Sequence, residues 1–289
     1  MKWSIPAKTF LLGEYAAIAG APALVLTTSP CFELTLLDKP GLFGIHAESP
    51  AGRWWLAQDH TKAGLQWYDP YQGRGGMGAS SAQFLGAYLA SMHLQKKHVY
   101  QQAMLDAYLH HAGHEKGVQP SGYDVLAQSL SGCVYIDRQH NLCQSFAWPF
   151  QDIAFILLHT GQKLATHIHL QAMSLPSQLQ PLVSIVEKAK KAFELADSQG
   201  IVDAVNAYYQ QLAEMQLIAE NTLQQVDRFK KQADVLAVKG CGAMGADVLL
   251  LLVPTKKQTS IQEQLSSSGW TILATSADLY TRAALLPVV

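Results

Sequence analysis

Residues 73–82 read GRGGMGASSA and run directly into QFLGAYLASMHL, an apolar stretch with helical character. Bare backbone at a helix start leaves few options. Glycine accepts angles closed to other residues, so the run is an ordinary tight turn on one reading. On the other it is an anion cradle, because free first-turn N–H groups and the positive helix end favour a phosphate. The Walker spacing G-x-x-x-x-G-K-[ST] is absent, and so is G-x-G-x-x-G; the pattern present is G-G-x-G-x-S-S. Gly75, Gly76, Met77, Gly78, Ala79, Ser80 and Ser81 are therefore candidate nucleotide-phosphate ligands, with a structural turn as the alternative. Ser80 either caps the helix or offers its hydroxyl to Mg²⁺ beside the phosphates.

The rest of the chain bounds what such a loop can serve. The 289 residues, 49% hydrophobic and 15% charged, are enough for one large or two ordinary globular domains. A formal net charge of −1 argues against a nucleic-acid or anionic-membrane partner. Cys31, Cys133, Cys143 and Cys241 form no C-x-x-C pair, and four widely spaced thiols fit a reducing cytoplasm. Lys8 and Glu14 interrupt the N-terminal apolar patch, so no signal peptide is expected. The longest apolar run, VLLLLV at 248–253, is a buried strand too short to cross a bilayer.

The patterning predicts strands at the N-terminus up to a turn at Gly13, near 23–28, and over CFELTLLDK. GIHAESPAGRWWLAQDH reads as a hairpin. Helices are expected over 80–94 and 101–111, and two strands flank a turn at 139–141. Beyond Pro149 the pattern gives a buried strand, long helices over 181–198 and 202–232, a Gly-rich turn in LAVKGCGAMGAD, a strand, a helix and a last strand. No regular βαβ alternation appears, which predicts an α+β protein with domains at 1–150 and 151–289.

Three further segments carry polar residues in apolar surroundings. Lys8 lies in the first strand, with Gly13, Glu14 and Tyr15 just beyond it. Asp124 follows Ser121 and Gly122 in SGYDVLAQSL, where the plain reading is a turn or cap residue. KGCGAMGAD ends at Asp247. Other polar or aromatic groups have simpler readings. His110, His111 and His114 are a solvated helix end, His167 and His169 lack a ligand set, and the Trp54-Trp55 and Trp67-Tyr68 pairs are packing residues. No G-x-S-x-G elbow supports a hydrolase.

In order, PAK…GEY, GMGASSA, SGYD and GAMGAD resemble the motifs of the GHMP kinase superfamily, and HTGQKLAT resembles its T-G-x-x-x-x-T stretch. The likeness spans residues 5 to about 253. It implies an N-terminal domain with a left-handed βαβ crossover and a ferredoxin-like C-terminal domain, with ATP and the acceptor meeting between them. It also implies roles. Asp124 would take the acceptor proton or orient the acceptor, and Lys8 would stabilise charge on the transferred group. Ser80 would ligate Mg²⁺, with Glu115 the nearest carboxylate for a second ligand. Glu14, Tyr15, Arg74, Ser121, Gly122, Gly242, Ala243 and Asp247 would contact the substrate. Gly-Glu-Tyr and the terminal Asp247 are most similar to the phosphomevalonate kinases, and the mevalonate kinases come next. Ala79, Met77, Met244 and Ala246 depart from the superfamily pattern. The galactokinase opening is absent. A non-catalytic binding module on the same fold is the rival from another class; it would be expected to lose Lys8, Ser80 or Asp124, and this chain keeps all three. The acceptor is a small molecule, and the oligomeric state stays open.

Overall fold

The computed structural model describes residues 1–113, 120–161, 179–242, 247–282 and 285. Two sheets divide the chain. The first holds β1 (Lys2–Leu12), β2 (Ala23–Leu37), β3 (Gly41–Phe43), β4 (Gly64–Tyr68), β5 (Cys133–Asp137) and β6 (Leu142–Phe146). The second holds β7 (Ile153–His159), β8 (Ala237–Cys241), β9 (Val248–Pro254) and β10 (Thr271–Thr275).

The spine of the first sheet is β2. One edge pairs with β1 along its whole length; the other pairs with β4 through Glu33–Leu37 and with β5 through Ala23–Leu26. The sequence predicts two separate strands here. The structure runs them together through Ser29-Pro30, because the ladder shifts register where Pro6 lies opposite. Neither proline has an N–H to donate, so a bulge accommodates both.

Helices α1 (Pro50–Leu56), α2 (Ala79–Leu94), α3 (Gln101–Ala112) and α4 (Tyr123–Gln128) complete this half. The hairpin expected over 44–60 is instead α1. Ser49 accepts the Gly52 N–H at 3.1 Å and Pro50 begins the helix, a strong start signal that the surrounding turn residues hide. A Cβ on Gly52 would sit 2.2 Å from the His46 carbonyl oxygen, so the helix can enter only on a glycine. Strands β3 and β4 are parallel across α1, as a βαβ crossover requires.

The second sheet has the order β10-β7-β9-β8, all antiparallel. Between β7 and β8 come α5 (Gln180–Leu195), α6 (Ser198–Glu214) and α7 (Glu220–Lys230); α8 (Gln258–Ser267) joins β9 to β10. This is the βαββαβ plan of a ferredoxin-like unit. The long helix expected over 202–232 is two helices, broken at 215–219, where Tyr15 donates its hydroxyl to the Leu217 carbonyl at 2.9 Å. The first part of the predicted Gly-rich turn, Ala237–Cys241, is a fully buried strand. After β10 the chain returns to the first sheet. Tyr280 N–H donates to Thr27, Gly132 N–H to Tyr280, and Leu285 N–H to Ser129.

Candidate active site

The glycine loop, β1 and α4 converge on one point. The Lys8 N–H donates to the Met77 carbonyl at 3.0 Å, tying β1 to the loop. The Lys8 ammonium then reaches across to Asp124, with Nζ 2.8 Å from Oδ1. The Lys8 side chain is 10% exposed and that of Asp124 31%, so the pair has a dry side and a wet side. Asp124 sits in the first turn of α4, behind Gly122 in the left-handed region at φ +79°. A Cβ on Gly122 would meet Leu105 at 2.3 Å, which fixes the turn that aims Asp124. Arg138 holds the Ser121 carbonyl at 2.5 Å, and Tyr123 anchors below through its hydroxyl to the Ala21 carbonyl. Tyr108 is buried near Asp124; burial, and then the Asp124 charge, raise its phenol pKa.

The loop needs its glycines for space as well as for angle. Gly76 and Gly78 lie at φ +84° and +80°. A Cβ on Gly76 would meet Val248 at 2.4 Å, and one on Gly78 would meet the Lys8 Cγ at 2.7 Å. Gly75 packs against the Asp247 carboxylate. Asp69 accepts N–H bonds from Tyr71 and Gly73 at 2.8 Å each, shaping the entry to the loop. Gly78 is the cap residue of α2 and brings no side chain to its first-turn N–H groups. That end of a 16-residue helix is thus left open to an anion.

The two serines part company here. Ser80 is exposed beside the open helix end. Ser81 is buried, 2.7 Å from Oε1 of Gln128 and 3.0 Å from the Gly78 carbonyl. Gln128 also donates to the Pro6 and Gly78 carbonyls at 2.9 and 3.1 Å. It is the bracket of the site, joining β1, the loop and α2. The sequence reading misses it, although the signal exists: it lies four residues after Asp124, one helical turn along the same face.

The remaining predicted residues fall in three groups. Arg74 is exposed at the outer edge of the loop, near His159. Burial, and then the Arg74 charge, lower the His159 pKa, with Asp247 opposing. The Asp247 carbonyl accepts from the N–H and hydroxyl of Thr160. Glu14 and Tyr15 are buried and engaged with their own chain: Tyr15 with Leu217, and Glu14 with Lys239. Gly242 opens the last loop at φ +84°, and a Cβ there would meet no atom of the described residues within 4 Å. Glu115, Ala243, His114 and all but the first residues of the 160–166 stretch lie outside the described residues. A hollow of about 310 Å³ between α7, α8 and Trp270 shares no residue with this site.

A nucleotide fits this arrangement. The cradle is backbone that side chains would fill, an open helix end faces it, and Lys8 stands at its side. Among the described residues no group of three or more His, Cys, Asp or Glu side chains is placed to hold a metal. For a Mg²⁺ bound with the phosphates, Ser80 would add a hydroxyl, and Asp124 and Asp247 are described carboxylates beside the loop; this ion usually takes one or two carboxylates together with phosphate oxygens and waters.

No family model matches the sequence, and no curated protein does. Solved structures match over nearly its whole length. Streptococcus pneumoniae phosphomevalonate kinase in complex with phosphomevalonate and AMPPNP superposes with a TM-score of 0.76 at 15% identity, covering 95% of this chain and 99% of that one. Methanococcus jannaschii mevalonate kinase gives 0.72 at 13% identity, covering 98% of each chain. Lactococcus lactis galactokinase complexed with galactose gives 0.74 at 12% identity, covering 94% and 92%.

Proposed function

We propose that this chain, which carries the GHMP kinase fold, is an ATP-dependent small-molecule kinase acting on phosphomevalonate. The observation that carries the kinase reading is the Lys8–Asp124 pair at 2.8 Å beside an uncapped helix end behind a glycine loop. Phosphoryl transfer asks mainly for positioning and charge neutralisation, and those are the things this site supplies. The loop N–H groups and the start of α2 would hold the phosphates. Lys8 would neutralise charge on the transferred group as the acceptor oxygen bonds to the γ-phosphorus and the bridging oxygen leaves with ADP. Asp124 would accept the acceptor's proton or, for an acceptor already ionised, hold it in line. Mg²⁺, when bound with ATP, would supply further charge neutralisation at the phosphates.

The phosphate acceptor is favoured by Glu14-Tyr15 and Asp247 in the sequence, by the exposed Arg74 beside the loop, and by the likeness to the pneumococcal enzyme. A hydroxyl acceptor, mevalonate, is the second reading, since a mevalonate kinase matches over as much of the chain. The four free thiols fit a cytoplasmic enzyme. Among the described residues no helix is long and apolar enough to cross a membrane.

The test is ADP release with Mg²⁺-ATP and a panel of mevalonate, phosphomevalonate, galactose and homoserine. Phosphomevalonate should turn over and mevalonate should be poor. Mevalonate turning over while phosphomevalonate stays inert replaces the first reading with the second. Nucleotide binding with no turnover on any acceptor returns the chain to the binding-module class.

A further inference from the structure

The phosphoryl-transfer reading makes no use of the most deeply buried ion pair among the described residues. Lys239 Nζ lies 3.0 Å from Glu14 Oε1, and their side chains are 0% and 2% exposed. Glu14 stands two residues beyond β1 and Lys239 in the middle of β8, so the pair spans the seam between the two sheets. Two apolar side chains of similar volume would hold a seam at least as well, because burying charges costs desolvation. The seam alone leaves the charges unexplained.

A field is what an apolar pair cannot supply. The site holds two ion pairs of opposite order, Asp124 with Lys8 and Glu14 with Lys239, and Lys8 and Glu14 stand on and just beyond the same strand. Burial raises the Glu14 pKa; the attraction of Lys239, and to a lesser extent that of Lys8, opposes the rise. Both Glu14 oxygens are shut off from solvent, and in such surroundings a charge acts more strongly than in water. At the far end Lys239 Nζ lies 3.9 Å from the Cys241 sulfur, and that sulfur is bonded in turn to Thr9, the neighbour of Lys8. These contacts therefore lead from β8 back to β1 beside Lys8. Cys241 is also the last residue before the Gly242 turn. The Tyr208 ring, 5.7 Å from Lys239 Nζ, closes the pocket on the α6 side.

We infer that Glu14 and Lys239 are positioning residues: their pair holds the Lys8 ammonium on Asp124 and keeps β1 in register with the strand that opens the Gly242 loop. The inference rests on the kinase reading for its activity readout only. Polarity is the point that separates it from a plain staple.

Two double variants test it, Glu14→Gln with Lys239→Met, and the exchanged pair Glu14→Lys with Lys239→Glu. Each is read by thermal melting, by a crystal structure and by kcat and KM for ATP. The neutral variant should melt cooperatively, part Lys8 from Asp124, and lower kcat about tenfold while KM for ATP moves less than about twofold, the split expected when an interaction acts in the transition state. The exchanged pair should recover melting temperature without recovering the Lys8–Asp124 contact or kcat. Lys8 still on Asp124 with wild-type kcat in the neutral variant overturns the inference. So does recovery of kcat along with stability in the exchanged pair. Should neither double variant fold, isosteric Glu14→Gln alone is read the same way. If wild-type protein proves inert on every acceptor, the kinase reading falls, and the Lys8–Asp124 distance in the variant crystals still decides this inference.

Discussion

The Ser81 hydroxyl and the Gln128 carboxamide oxygen meet at 2.7 Å inside the site, while Ser80, one residue earlier, faces solvent. Adjacent serines thus have opposite tasks, and substitution should separate them. Gln128→Leu takes the side-chain amide from the Pro6 carbonyl, at about 1–3 kcal/mol for a buried group left unsatisfied, while the Gly78 carbonyl keeps the Ala82 N–H and the Ser81 hydroxyl. Melting temperature should drop clearly. Ser80→Ala should leave melting nearly unchanged and raise the Mg²⁺ concentration needed for half-maximal turnover. A large loss of melting temperature with an unchanged Mg²⁺ requirement would make Ser80 a structural residue.

Asp124→Asn keeps volume and hydrogen bonding but removes the base. Turnover should fall by about 10²–10⁴, toward the upper end for a hydroxyl acceptor and the lower end for a phosphate, which is largely ionised at neutral pH. Lys8→Met should also lower turnover, and the double variant should lose less than the product of the two losses if the 2.8 Å pair works as one unit. Single-turnover transfer, with nucleotide affinity measured separately, gives all four values.

Gly78→Ala tests the cradle. Alanine at φ +80° costs about 1–2 kcal/mol, and its Cβ would press on Lys8 at 2.7 Å. The variant should fold with a lower melting temperature and lose turnover far beyond that stability loss, because Lys8 is displaced from Asp124. Gly73→Ala, with φ +79° but no atom of the described residues within 4 Å of its Cβ, should show the strain alone.

Lys8 and Asp124 were candidates in the sequence because each lies in a short local motif, PAK…GEY for one and SGYD for the other, that resembles the superfamily's, and the structure brings their side chains to 2.8 Å. The helix behind Gly78 was legible for the same reason. What escaped depends on distant partners. Gln128 is an unremarkable helix residue until Pro6 and Gly78 are brought to it. Lys239 in a strand of small residues gives no hint of Glu14, more than two hundred positions away. Helix α1 was hidden by its neighbours, since Gly, Ser and Pro spell both a turn and a capped helix start. The break between α6 and α7 falls where Gln216 turns at φ +58° and the Leu217 carbonyl accepts the Tyr15 hydroxyl, a partner no local pattern reports.

Alkaline pH should weaken the fold. Burial pushes the Cys143 thiol up to about 11 and the Tyr123 phenol to about 12, and it raises Cys133 and Cys241 as well. In the unfolded chain thiols ionise near 8.5 and tyrosine near 10. Above those values the unfolded chain releases protons that the folded one keeps, so stability falls as pH rises toward the folded values. Melting temperature should decline from about pH 8.5 upward. Cys143→Ala should flatten the decline between about 8.5 and 11. An unchanged slope would show that this thiol ionises alike in both states.

Residues 279–285 bear on how the protein is made. Thr27 in β2 bonds to Gly132 and to Tyr280, and Gly132 itself donates to Tyr280. On the ribosome the first sheet emerges early, yet part of its seam between β2 and β5 has its partner only in chain synthesised long afterwards. The amino-terminal half, although it holds Lys8, the glycine loop and Asp124, therefore waits for residues 279–285 to be made before these main-chain bonds close. Ribosome-bound chains halted before Leu279 would be expected to expose that seam to proteases that the finished protein resists.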